Sequence, residues 1–269
     1  MSNDRRASDF HFIDRSECRR YASYKVSMLV WLLLSLCFAF ISLACVGANG
    51  NSAPAISDEE MKTMREQMVE RQIKARGIRD EQVLQAMMKV KRHEFVLPGH
   101  ERDAYDDSPL PIGENQTISQ PYIVALMTEL AHVSTESRIL EVGTGSGYQA
   151  AILSVLAKEV YSIEILEGLG TRARDLLARL GYKNVSVRIG DGYKGWPEAA
   201  PFDAILVTAA PDHLPQPLVD QLKVGGRMVI PVGDFYQELE VVTKTDSGIK
   251  REKIIPVRFV PMTGEAEKD

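Results

Sequence analysis

The stretch RILEVGTGSGYQA, residues 138–150, decides the fold, because a short apolar run with strand character enters a glycine-rich turn and leaves it as a helix-forming segment. Strand, glycine turn and helix in immediate succession make the entrance to a nucleotide-type cofactor site. Gly143, Gly145 and Gly147 remove Cβ atoms where the chain must turn sharply and where ligand atoms approach the backbone. A dinucleotide fingerprint requires glycine at its sixth position. Here that position is Tyr148, so the pattern is GxGxG with Glu141 two residues ahead of it, and NAD is disfavoured. A second strand-like run, VYSIE, ends at Glu164, 23 residues beyond Glu141. An acid at a strand end accepts hydrogen bonds from both hydroxyls of a ribose.

From residue 138 onward strands and helices alternate. Strands are expected at 138–142, 159–163, 185–189, 203–208, 226–232, 239–244 and 254–260, and helices at 149–156, 170–180 and 217–222. The expected fold is α/β: a doubly wound, mostly parallel seven-stranded Rossmann-like sheet with an antiparallel strand near the C-terminus. VSVRIGDGYKGW ends the third strand at Asp191 and Gly192, on the sheet edge that carries the glycine loop. Asp191 there is suited to accept from an adenine amino group, Gly192 to leave room for the ring, and Trp196 to pack beneath it. GxGxG followed by the strand-end acid resembles the class I S-adenosylmethionine-dependent methyltransferases, which makes Glu141, Gly143, Gly145, Gly147, Glu164, Asp191 and Gly192 the expected cofactor residues and S-adenosyl-L-methionine the cofactor.

The N-terminal region is of another kind. Residues 1–25 are basic, and 26–46, VSMLVWLLLSLCFAFISLACV, run 21 residues without a charge, which reads as a signal sequence or membrane anchor with a cleavage option after Ala48. A linker at 47–57 leads to a domain at 58–264 and a charged tail at 265–269. Cys18, Cys37 and Cys45 all fall in the leader, so the domain holds no disulfide, zinc thiolate or cysteine nucleophile. The whole chain carries −5; without residues 1–46, 26 basic residues face 33 acidic ones. An acidic domain without a basic, aromatic-interleaved patch does not attract nucleic acid. No histidines sit at metal-ligand spacing, and no metal is expected.

Within the domain, Ser57 is the expected N-cap of a helix whose Met61, Met64, Met68 and Ile73 stripe faces the core until Gly77, and a second helix spans 80–90. The segment PLPIGENQTISQP, residues 109–121, reads as irregular and outside the core, running into a helix that starts at Pro121 with Thr117 or Ser119 as its N-cap. A hydroxyl beside the free N–H groups of a helix start suits a substrate carboxylate.

PLPIGENQTISQP, LEVGTGSGYQAA, GDGYKGWPEAAPFDAILVTAA, LKVGGRMVIPVG and VRFVPMTG, in that order from about residue 61 to 264, resemble the protein-L-isoaspartate O-methyltransferases. The resemblance implies that Ser119 is the active-site residue contacting the isoaspartyl carboxylate, with Thr117, Ile118, Val260 and Thr263 around the substrate. It implies isoaspartyl proteins and peptides as partners and a monomeric enzyme. The pair Glu114-Asn115 departs from the pattern, in which a second glycine is common. Location is a conflict: the leader's charge topology sends the domain outward, with membrane association through 26–46, whereas S-adenosylmethionine supply and the family favour the cytoplasm.

Overall fold

The computed structural model describes residues 56–267; the basic segment, the apolar run 26–46 and most of the linker lie outside them. Ser57 caps α1 (Asp58–Gln67) through a reciprocal box, accepting from Glu60 N at 3.2 Å while its own N–H donates to Glu60 Oε2 at 2.9 Å. The helical path widens into a π-turn at Met68–Ile73, so the stripe expected on one regular helix reaches the core through a change of pitch. Met61, Met68 and Ile73 are buried and Met64 is partly so. Asp80 caps α2 (Glu81–Lys89) by accepting from Gln82 N and Val83 N.

Residues 109–121 are more ordered than their composition suggests. They form a hairpin of β1 (Leu110–Gly113) and β2 (Gln116–Ile118) with Leu110, Ile112 and Ile118 buried, which corrects the expectation of an irregular segment outside the core. The turn is tight because Glu114 and Asn115 both take left-handed backbone, at φ 53° and 57°. Asparagine tolerates that region; glutamate does so under strain. The following helix, α3 (Pro121–Leu130), has Gln120 at its N-cap and no side-chain cap. The expected cap at Thr117 or Ser119 is therefore corrected: Thr117 belongs to β2, and the Gln120 side chain turns back to Asp107, donating to its Oδ1 at 2.8 Å.

The main sheet comprises β3 (Arg138–Val142), β4 (Glu159–Glu164), β5 (Val185–Ile189), β6 (Phe202–Val207), β7 (Leu222–Val232), β8 (Gln237–Thr245) and β9 (Gly248–Val257). They lie in the order β5-β4-β3-β6-β7-β8-β9, parallel from β5 to β7, with β8 antiparallel to both neighbours. α4 (Tyr148–Leu156), α5 (Glu167–Arg179) and the short α6 (Gln216–Asp220) connect the parallel strands. Alternation divides the core: Ile139, Ala204, Leu206 and Val229 face one layer, Leu140, Ile205, Val207 and Met228 the other. The chain winds outward from β3 to β5 and then crosses back to β6. The carboxyl ends of β3 and β6 thus flank a topological switch point, where ligands of such sheets bind. β9 stops at Val257, short of the expected 260, because Phe259 N donates to the Gln237 side chain at 2.6 Å and the chain leaves the ladder to bridge Ala210 at Pro261.

Candidate active site

A cleft open to solvent lies at this switch point. Its lining joins the loop after β3 (Gly143, Gly145, Ser146), the end of β4 (Glu164, Ile165), Gly192, the hairpin (Ile112, Thr117, Ile118), Ser119, and the segment after β9 (Val260, Thr263). Residues far apart in the chain, expected on separate grounds for donor and acceptor, thus share one cavity.

The donor wall rests on β3. Gly143 sits at φ 95°, and a Cβ there would overlap Thr208 Oγ1, which donates toward Val142 O and Gly143 O at 3.0 and 2.7 Å. Only glycine lets the end of β3 pass this close to the end of β6. Glu164 is buried, its carboxylate accepting from Gly145 N at 2.8 Å and Leu166 N at 3.0 Å. Each oxygen keeps a second lone pair, enough for a pair of ribose hydroxyls. Gly147 caps α4 in left-handed backbone without itself lining the cleft. Ile163, Ile165, Leu166 and Met127 supply apolar wall on the same cavity, suited to a flat heterocycle. A glycine-cut cradle, a strand-end carboxylate and an apolar wall fit S-adenosylmethionine.

Like Gly147, Glu141 and Asp191 stand off the cleft lining. Glu141 is fully buried beneath the loop and does not line the cleft. Ser162 Oγ donates to its Oε2, Thr144 Oγ1 lies 2.6 Å from Ser162 Oγ, and Oε1 has no partner. Burial pushes the Glu141 carboxyl up to about 8; the Ser162 hydrogen bond opposes this and the charge of Glu164 adds to it. Held above neutral pH in this way, the carboxyl keeps its proton and ties the loop to β4. Asp191 also stays off the lining, its oxygens accepting from Tyr193 N at 3.0 Å and Glu265 N at 2.9 Å. Gly192 lines the cleft, yet the closest neighbour to a Cβ there is Val142 Cγ1, so the requirement for glycine comes from β3 packing. Through Asp191 the expected tail begins as a docked turn, Gly264–Glu267, with Ala266 buried and Glu265 paired to Lys194 at 2.7 Å. Trp196 packs on Tyr161 at 5.2 Å and under Arg188 at 3.9 Å, away from the cleft lining.

On the acceptor wall, Ser119 lies between β2 and α3, half-buried, and its hydroxyl makes no hydrogen bond among the described residues. The uncapped start of α3 follows it directly. Val260 is fixed by Ala210 N, which donates to its carbonyl at 2.8 Å. Sequence reasoning missed Thr208, Ile112 and Met127; Thr208 was findable as the residue one past a strand end at the switch point. His93 and His213 serve tyrosines, Tyr105 and Tyr193, at 2.7 and 2.9 Å.

Sheet order, glycine cradle and strand-end acid together define a Rossmann-like S-adenosylmethionine-dependent methyltransferase. More narrowly, the chain belongs to the protein-L-isoaspartate(D-aspartate) O-methyltransferase family, whose model matches residues 63–267. It is 57% identical over 203 residues to the protein-L-isoaspartate O-methyltransferase of a Picosynechococcus species, covering 76% of this chain and 91% of that protein. Against protein-L-isoaspartate O-methyltransferase 2 of Shewanella sediminis the identity is 54% over 237 residues, covering 87% and 97%. A solved structure of a putative protein-L-isoaspartate O-methyltransferase from Plasmodium falciparum, in complex with S-adenosyl-L-homocysteine, is similar at TM-score 0.64 and 29% identity, covering 76% of this chain and 98% of that one.

Proposed function

We propose that this chain transfers a methyl group from S-adenosyl-L-methionine to the free carboxylate of L-isoaspartyl residues in damaged proteins and peptides, starting their repair to aspartyl. The observation that carries the reading is the convergence of Thr117, Ile118, Ser119, Val260 and Thr263 with the glycine loop and Glu164 on one cleft. The donor supplies a methyl group on a positively charged sulfonium. Glu164 would hold the ribose and the loop N–H groups the rest of the donor, leaving the sulfonium to face the acceptor wall.

The chemistry accounts for what the cleft lacks. Among the described residues, Glu164 is the one carboxylate or cationic side chain on its lining. An isoaspartyl carboxylate, with a pKa of roughly 3.3 to 3.9, is already ionised at neutral pH, so its oxygen attacks without a general base. Carboxylate and sulfonium lose their charges as the ester forms, and the apolar wall of Ile163, Ile165, Leu166 and Met127 favours a step that removes charge. Ser119, with the N–H groups of α3, would hold the anion by neutral donors that leave it nucleophilic. Alignment of this kind supplies on the order of 7 to 11 kcal/mol. The resulting methyl ester loses methanol to a succinimide, which hydrolyses in part to aspartate.

For location, donor supply favours the cytoplasm, and residues 26–46 are the competing signal. Among the described residues no helix is long and apolar enough to cross a membrane. The reading is tested by offering radiolabelled donor with matched isoaspartyl and aspartyl peptides: label is expected only in the isoaspartyl peptide. Equal labelling of both, or donor binding without transfer, overturns it.

A further inference from the structure

PVGDFYQEL, residues 231–239, joins β7 to β8 through a turn whose tip carries adjacent aromatics, Phe235 and Tyr236. Each is 92% exposed, against 58% for Val224, the next most exposed large apolar residue among those described. Covering an aromatic side chain is favourable, so two left side by side in water are a surface waiting for a partner.

The tip is held, and what holds it belongs to the acceptor wall. Gly233 takes φ 126°, and a Cβ there would overlap the Tyr236 carbonyl oxygen, which closes the turn. Gly233 N donates to Pro211 O at 2.9 Å, tying one arm to the strip that begins with the cleft residue Ala209. Gln237 clamps the other arm, donating from Nε2 to Phe259 O at 3.1 Å and accepting at Oε1 from Phe259 N at 2.6 Å. Phe259 runs straight into the cleft residues Val260, Pro261, Met262 and Thr263. The two aromatics therefore stand on a braced turn whose two arms are tied to segments that run into the acceptor wall.

Resting on the isoaspartyl reading above, we propose that Phe235 and Tyr236 form an aromatic lip that grips the substrate chain flanking the isoaspartyl residue and selects segments with a bulky apolar side chain there. Aromatic tips of this sort contribute rigid contact area at low entropic cost. The lip touches neither the donor nor the reacting carboxylate, so it acts on peptide affinity.

The test compares the full chain with its Phe235→Ser/Tyr236→Ser variant on three isoaspartyl peptides: a minimal one, one with glycine flanks and one with leucine and phenylalanine flanks. Vesicle flotation is run alongside. The unaltered chain is expected to have a KM for the apolar-flanked peptide about tenfold below that for the glycine-flanked one, the scale of a modest hot spot. The variant should lose that preference while keeping its kcat on the minimal peptide and its affinity for S-adenosylmethionine. An unchanged preference overturns the lip, as does a variant whose only defect is vesicle binding, which would assign the tip to a lipid surface. No methylation of the minimal peptide by the unaltered chain, with donor bound, would instead bring down the parent reading, and the lip with it.

Discussion

On the donor side of the cleft the groups stand at the ends of β3, β4 and β6, and parallel register sets where each one lies. On the acceptor side they come from a short hairpin, a helix start and the segment leaving β9, held by side-chain clamps such as Gln237 on Phe259 and by a single bridge at Pro261. The donor wall is consequently a property of the sheet, while the acceptor wall is an attachment to it. One core can keep a fixed donor site while its substrate surface varies, and substitutions on one wall are expected to leave the other's affinity intact.

The largest effect expected on that separation is at Glu164. Removing a buried carboxylate that receives two backbone N–H groups, and that we propose holds the ribose, costs roughly 1.5 to 3 kcal/mol per charged hydrogen bond lost. Glu164→Ala should weaken S-adenosylmethionine binding by about a hundredfold in calorimetry, with the peptide KM at saturating donor unchanged. A peptide KM that rises in parallel would break the division of the walls.

A smaller effect sharpens the donor side from beneath. Burial raises the Glu141 carboxyl from 4.5 in a free chain to about 8 in the fold, so between those values the unfolded chain releases a proton that the folded chain keeps. Stability contributed at this site therefore falls as pH rises through that window and stays low above it. Glu141→Gln, which keeps an acceptor for Ser162 and cannot ionise, should flatten the decline, with its greatest advantage over the parent in denaturant melts at pH 8. Parallel melting curves at pH 5 and pH 8 would remove the neutral acid from the account.

The same difference between the walls governs what was legible in the sequence. Strands of the parallel core announce themselves by continuous apolar runs, and β3 and β5 fall on the expected 138–142 and 185–189. The glycines and Glu164 follow because strand ends at a switch point are where chemistry sits. The hairpin was not legible: Pro111 and Gly113 interrupt its alternation, and a turn through Glu114 and Asn115 has only a weak residue signal. Asp191 was legible as a strand-end carboxylate, but its distant partner was not. Its partner Glu265 lies 74 residues on, so local pattern offered a carboxylate at the right edge without revealing the second backbone N–H that it accepts. The protonation of Glu141 was not legible because burial, which decides it, is a property of the packed sheet. Ser119 was proposed from its motif, but the feature that suits it to a ligand, the transfer of the N-cap position to Gln120, appeared only in the structure.

The separation of the two walls is tested most directly at Ser119→Ala, with donor affinity measured by calorimetry and isoaspartyl methylation by steady-state kinetics on the same preparation. Loss of one hydrogen bond to the substrate anion is expected to lower kcat/KM about 10- to 100-fold. S-adenosylmethionine should bind as tightly as before. Methylation at the parent rate, or a matching loss of donor affinity, would contradict the account.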